Sequence, residues 1–288
     1  MIQKELTDRE LLMSYQLELQ TLGYAKSTVF TKIRNLINFK TFTRKAYIET
    51  TAKDLHFFTI HLQNKALHSS TIKHYYHDVS QFFIYLERTS FICKNPFNFY
   101  ELQLIKQAKR TRDIITQQEA IQLYKAVKND TEKLLLHLCY GCGLRAKELE
   151  RLNVKDVLLT QQLIKVEKGK NSQHRVVPIT PAMLLDFINY LEFRNKQLVT
   201  TKALLLNKKE NRLKAYTARG VLQEIVKRSA ILLNKRNITL HSLRHSIATH
   251  LLENGMNVNY VQQFLGHKQL ETTETYVRIH KEQLKNLV

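Results

Sequence analysis

The stretch His241-Ser242-Leu243-Arg244-His245, with Leu265-Gly266-His267 and then Tyr276 beyond it, decides how the second half of this chain is read. Apolar periodicity predicts helices over about 241–253 and 258–265, with Gly255 and Gly266 where helix C-caps belong. His241 and Arg244 are three residues apart on the first of these helices, so they project from one face a turn apart. His245 points elsewhere, towards packing or a supporting role. His241 and His245 also have the i, i+4 spacing of a zinc-binding helix. That motif needs a glutamate after the first histidine, and Ser242 stands there. A second arginine lies far upstream, Arg145 in Gly141-Cys142-Gly143-Leu144-Arg145-Ala146-Lys147-Glu148-Leu149.

Two arginines, two histidines, a lysine and a tyrosine suit the breaking of a phosphodiester without a metal. Phosphoryl transfer through a five-coordinate phosphorus builds negative charge on the non-bridging oxygens, which kinases and polymerases neutralise with Mg²⁺. The sequence shows no carboxylate cluster arranged for such an ion. Arginine is the substitute, because its planar fork donates two hydrogen bonds in phosphate geometry and stays charged at any working pH. Removing one such preorganised donor costs on the order of 3 kcal/mol in the barrier. A tyrosine nucleophile conserves the bond energy as phosphotyrosine, so rejoining needs no ATP. No cofactor and no metal are expected.

Composition points to the same kind of substrate. The 288 residues are long enough for about two domains, and 43% hydrophobic with 24% charged residues describes a globular chain with a full core. Lys and Arg number 45 against 25 Asp and Glu, a net charge of +20. Such an excess repels itself unless a polyanion is the partner, and nucleic acid leads over a basic protein with no such ligand, or one that binds RNA or acidic lipid. Three cysteines, Cys93, Cys139 and Cys142, are too few and too odd in number for a disulfide framework, which fits a reducing cytoplasm. Cys139 and Cys142 have the spacing of a redox or zinc half-site, yet they sit in an apolar helical run, Leu134 to Tyr140 and just beyond, with no second pair to complete it. Neither a signal peptide nor an apolar run of membrane-spanning length is evident, so a cytoplasmic, nucleoid-associated protein without a membrane partner is expected.

Along the chain, residues 1–104 read as a helical domain. Thr7-x-x-Glu10 is a capping box; Ser27 is a candidate cap for a second helix carrying Val29, Ile33 and Leu36. A third helix from about Thr51 carries Leu55, Phe58 and Leu62, and a fourth after Ser69-Ser70 carries Ile72, Tyr75, Val79, Phe82 and Leu86. Residues 105–113 are a basic linker in which Lys106, Lys109, Arg110 and Arg112 cluster without a core stripe, suited to tracking a phosphate backbone. Residues 114–288 form the second domain, opened by the capping box Thr116-x-x-Glu119. Its strand signal is Leu163 to Glu167 and Arg175 to Ile179 about a turn at Lys168-Gly169-Lys170-Asn171-Ser172, and Thr180-Pro181 starts another helix. The expected fold class is mainly α with a small antiparallel β-sheet.

These motifs together resemble the tyrosine recombinases of the phage-integrase family, and are most similar to the Xer branch. The first box stands as Gly143-Leu144-Arg145 with Glu148-Leu149. The second is His241-x-Leu243-Arg244-His245, running on through Ala248-Thr249-His250-Leu251. Leu265-Gly266-His267 precedes Thr272-Thr273 and Tyr276, and Lys168-Gly169-Lys170 lies just ahead of Arg175-Val176-Val177-Pro178, matching the hairpin with the family's lysine. The resemblance covers almost the whole chain and implies an N-terminal core-binding domain, the linker and a C-terminal catalytic domain. It implies that Tyr276 attacks the scissile phosphate to give a 3′-phosphotyrosyl bond and a free 5′-hydroxyl. Arg145, Arg244 and His267 then stabilise the transition state, Lys170 protonates the departing 5′-oxygen, and His241 accepts the tyrosine proton. Glu148 orients an arginine or a neighbouring helix, and Arg175 joins the DNA-contacting cations.

The implied partners are a double-stranded DNA recombination site, further protomers in a tetrameric synapse with a Holliday-junction intermediate, or a paralogous recombinase, and an accessory or directionality protein. Twelve residues follow Tyr276, among which Leu284, Leu287 and Val288 offer a brief apolar patch for protomer exchange. Chromosome-dimer resolution and mobile-element integration or excision both fit. Two other readings use the same residues: a type IB topoisomerase-like enzyme that religates the same strand, and a non-catalytic DNA-binding regulator. An intact set of six candidate residues counts against the regulator, which has no need of Tyr276.

Overall fold

Capping boxes predicted from sequence start helices in both halves of the molecule. In this computed structural model the described residues are 7–104, 114–167, 174–197, 199–229 and 238–266. The chain divides into two compact units, Met1–Arg110 and Thr111–Val288.

The described part of the first unit is helical throughout its regular structure. Helix α1 (Asp8–Thr21) begins at Thr7, whose hydroxyl accepts from the Glu10 amide while the Glu10 carboxylate accepts from the Thr7 amide. Helix α2 (Lys26–Thr43) begins two residues earlier than a Ser27 cap requires: Ala25 is its N-cap, no side chain caps it, and Ser27 lies in the first turn. Burial of Val29, Leu36 and Phe39, rather than a local polar signal, fixes that start. Helices α3 (Ala52–Asn64) and α4 (Ser69–Arg88) complete the bundle. Its core is aromatic, with Phe39 edge-on to Phe58 and Phe83, and Phe82 against Tyr15 and Tyr47. A 3₁₀ turn at Pro96–Phe99, capped by Asn95, folds Phe97 back against Tyr76 and Phe83.

The second unit packs helices around a three-stranded antiparallel sheet. Helix α5 (Gln117–Lys125) starts at the Thr116 box. Helix α6 (Asp130–Leu136) runs into a π-helical turn, His137–Gly141, and α7 (Ala146–Arg151) follows. Strands β1 (Val157–Leu158), β2 (Leu163–Glu167) and β3 (His174–Pro178) pair in that order, with Val166 opposite Arg175 and Ile164 opposite Val177. Residues 168–173 between β2 and β3 lie outside the described residues. Helices α8 (Pro181–Lys196), α9 (Ala215–Arg228), α10 (Leu240–Glu253) and α11 (Val258–Leu265) follow. The fold is therefore mainly α with a small antiparallel sheet, as the sequence predicts. Among the described residues no helix is long and apolar enough to cross a membrane.

The core of this unit explains where the site stands. Leu135, Leu138, Phe187, Leu243 and Ile247 are fully buried together. Tyr140 of the π-turn and His250 of α10 share a buried hydrogen bond of 2.8 Å. Cys139 and Cys142 are buried thiols in that wall. Gly143 has φ +58°, and a Cβ there would come 3.0 Å from Leu265 and 3.1 Å from Phe264. Only glycine accepts both the left-handed backbone and that close approach. The consequence is that the chain entering Arg145 passes directly against α11.

Candidate active site

A single carboxylate gathers the predicted arginines. Glu148, in the first turn of α7, accepts from the Arg145 backbone amide at Oε2 (2.8 Å) and from Arg145 Nη1 at Oε1 (2.8 Å). This is a capping box closed by a charged residue, so the local turn that starts α7 also aims Arg145. From β3, Arg175 donates Nη1 to Oε1 at 2.7 Å and Nη2 to Oε2 at 2.8 Å, a bidentate fork. From α10, Arg244 brings Nη1 to 3.7 Å from Oε2. Three guanidiniums thus surround one carboxylate.

Their exposures differ, and the difference assigns what each can reach. The side chains of Arg175 and Arg244 are 5% and 4% exposed, whereas that of Arg145 is 40% exposed. Arg244 donates Nη1 to the Gly143 carbonyl and Nη2 to the Leu265 carbonyl. It therefore joins the loop before α7 to the end of α11. Burial, followed by the charges of Arg145 and Arg175, pushes its pKa down to about 9, against the opposing pull of Glu148. Burial acts to raise the Glu148 pKa, but the hydrogen bonds and charge of Arg175, followed by those of Arg145, outweigh it and hold the carboxyl down at about 2. Among the described residues the cluster carries more positive than negative charge, and Arg145 is its exposed cation.

The remaining predicted residues are placed as follows. His241 is exposed in the first turn of α10, which Thr239 caps through the Ser242 amide, so it lies one turn from the buried Arg244. His245 is half-buried on the same helix. Gly266 caps α11 with φ +70°, and a Cβ there would come 2.8 Å from Arg175 Cδ. Lys170, His267 and Tyr276 lie outside the described residues, as do Lys106, Lys109, Arg110 and Arg112 of the basic segment.

Arg175 corrects its sequence-based assignment as a DNA contact. It is 6% exposed, and both of its terminal nitrogens are engaged by Glu148. The reason is strand alternation. Arg175 shares a face with Val177 and stands opposite Val166, both buried, so its Cβ points into the core. That signal was available in Arg175-Val176-Val177, where an arginine in phase with a core valine faces inward.

A mainly helical unit in which arginines from the start of α7, from β3 and from α10 converge on one carboxylate fits a phosphoryl-transfer enzyme of the tyrosine recombinase class. Residues 113–283 match the phage integrase family, and the chain belongs to that family. It is 30% identical over 236 residues to the tyrosine recombinase XerD of Staphylococcus epidermidis, covering 79% of this chain and 78% of that protein. Its fold is similar to a lambda integrase (75–356) dimer bound to a COC′ core site, with a TM-score of 0.74 at 18% identity over 92% of this chain and 96% of that one. It is also similar to a lambda integrase tetramer bound to a Holliday junction, with a TM-score of 0.71 at 18% identity over 94% of this chain and 81% of that one. The chain is a tyrosine site-specific recombinase.

Proposed function

We propose that Arg145 and Arg244 clamp the non-bridging oxygens of a scissile phosphate in duplex DNA while Tyr276 attacks the phosphorus. The Tyr276 oxygen forms the new bond, the bond to the 5′-oxygen breaks, and the 3′-phosphate stays on the enzyme. His241 takes the tyrosine proton and Lys170 supplies a proton to the departing 5′-oxygen. His267 donates to a phosphoryl oxygen. A 5′-hydroxyl from the partner strand reverses the steps, so bond count and charge are conserved through a Holliday junction without ATP.

The observation that carries this reading is the Glu148-centred cluster of Arg145, Arg175 and Arg244. Its surplus positive charge, buried except at Arg145, is suited to receiving one phosphate. In the wider reading, residues 1–104 are a core-binding domain, 105–113 a basic linker over the DNA backbone, and 114–288 the catalytic domain. Protomers assemble as a tetramer on two DNA sites, alone or with a paralogue and an accessory protein, at the nucleoid. The net charge of +20 supports the DNA contact, and the solved structures with DNA support the assembly. The kinship with XerD favours strand exchange over a topoisomerase-like nicking and closing enzyme, and over a silent DNA-binding regulator.

Covalent trapping tests the reading. Nicked duplexes spanning the DNA beside the gene are incubated in EDTA with wild type and with Tyr276→Phe. A detergent-resistant adduct from wild type alone is expected. Adduct from both proteins moves the nucleophile elsewhere, and tight binding without adduct from either favours the regulator.

A further inference from the structure

Arg175 is the charged group of this pocket that holding a phosphate does not explain. It is buried, and its Nε has no hydrogen-bond partner among the described residues. An unsatisfied buried donor is unfavourable, so the arginine is retained for what its two terminal nitrogens hold. They grip the same two oxygens that fix the Arg145 backbone amide and guanidinium. The stem and guanidinium lie directly under Gly266: an added Cβ would meet Arg175 Cδ at 2.8 Å and Nη1 at 3.1 Å. Gly266 immediately precedes His267, and β3, which carries Arg175, directly follows residues 168–173, which include Lys170. A lysine would supply one point charge in place of the planar fork that reaches both oxygens.

The geometry points to Arg175 as a positioning residue that fastens β3, the start of α7 and the end of α11 to one carboxylate, and so sets where Arg145 and Gly266 stand. The inference rests on the role proposed above for Arg145. Arg175 touches no reacting atom; it acts through Glu148 and Gly266. It also keeps Glu148 anionic. The groups facing Glu148 are Arg145 from its own helix start, Arg175 from β3 and Arg244 from α10. The buried Cys142 thiol, pushed up to about 12 by burial, feels Arg175 as well. On the far side of α7, Lys214 pairs with Glu150 instead. Without Arg175 the largest opposition to the desolvation of Glu148 is gone, and the carboxyl takes up a proton nearer neutrality.

The test compares full-length wild type, Arg175→Met and Arg175→Lys. The first readout is hydrogen exchange at the end of α11, measured without DNA. The second is the rate of covalent adduct on a nicked duplex against pH. Arg175→Met is expected to exchange several-fold faster around Gly266, whose amide donates to Gln263 in wild type. It is expected to lose about 100-fold in adduct rate, with unchanged affinity for a random-sequence duplex. Its rate also gains a fall toward acid pH that Glu148→Gln in the same background removes. Arg175→Lys keeps a cation beside Glu148, so it lacks this fall while still exchanging faster than wild type. Wild-type exchange at α11 in both variants overturns the fastening role. A rate loss that is equal at every pH and follows the folded fraction reduces Arg175 to a core prop. Should wild type form no adduct on any duplex, the proposed function fails while the exchange experiment still decides this one. Should Arg175→Met not fold, exchange and pH profile of Arg175→Lys decide it.

Discussion

Both units bury charge, and they balance it differently. In the first unit Lys32 Nζ donates to Asp78 Oδ1 at 2.7 Å and Asn35 Nδ2 donates to Oδ2 at 2.8 Å, with the ionic side chains 8% and 12% exposed. One cation meets one anion, and an amide serves the second oxygen. In the second unit one carboxylate meets three guanidiniums. A charge-neutral buried pair ties α2 to α4. A buried surplus of cations is balanced only by an anion; burial first, and then the charges of Arg145 and Arg175, hold the Arg244 pKa down at about 9. Charge balance, more than burial, separates the structural polar cluster from the proposed phosphate site.

The comparison predicts opposite behaviour when each cluster is cut. Asp78→Ala strands the Lys32 ammonium in an aromatic core, and a loss of about 3–5 kcal/mol in stability is expected by denaturant unfolding. The double replacement Lys32→Met with Asp78→Leu should recover most of it, because the pair then leaves no lone charge. Arg244→Ala is expected to do the reverse. It removes a surplus cation, so stability changes less, while adduct formation falls by about 10²–10³-fold, read in single-turnover cleavage. Equal stability losses at both sites would erase the distinction.

How much of this was legible in the sequence follows the range of the forces involved. Thr7 with Glu10, Thr116 with Glu119, and Thr180 before Pro181 mark helix starts through contacts three residues apart, and each is found where expected. The start of α2 was misread at Ser27 because its side chain offers a cap that packing does not use. Arg145, Glu148 and Arg244 were legible as motif residues, but their convergence was not. It depends on Gly143 pressing against α11 and on Arg244 bridging the carbonyls of Gly143 and Leu265, contacts with sequence separations of 21 residues and more. The π-turn His137–Gly141 carries no local signal separable from an apolar helix. The burial of Arg175 follows from its strand phase with Val177, which a reading of it as one of the DNA-contacting cations left out.

The acid response sharpens the same contrast. The Glu148 carboxyl sits at about 2 against an ordinary value of 4.5. A depressed folded pKa means that the carboxylate contributes stability above its unfolded value. That contribution is lost as pH falls from about 4.5 through about 2. Its size is roughly 3 kcal/mol. Unfolding followed from pH 5 downward, on the order of one unit at a time, should show this slope in wild type and a shallower one in Glu148→Gln. An unchanged slope in the variant would place the acid sensitivity elsewhere.

The smallest expected effects come from two glycines with nearly the same backbone. Gly23 closes α1 with φ +75° and has nothing within 4 Å of an added Cβ, whereas Gly266 closes α11 with φ +70° against Arg175. Alanine at either position bears the left-handed strain, about 1–2 kcal/mol. Gly23→Ala should stop there, with adduct formation unchanged. Gly266→Ala must in addition push Arg175 or the end of α11 away, because the nearest atom belongs to a side chain already fixed at both nitrogens by Glu148. Its cleavage loss should therefore exceed what its stability loss explains, and Arg175→Met in the same chain should relieve part of the steric strain without restoring the rate. If the two alanine variants behave alike, Gly266 is only a helix terminator, and the end of α11 is not registered against the Glu148 cluster.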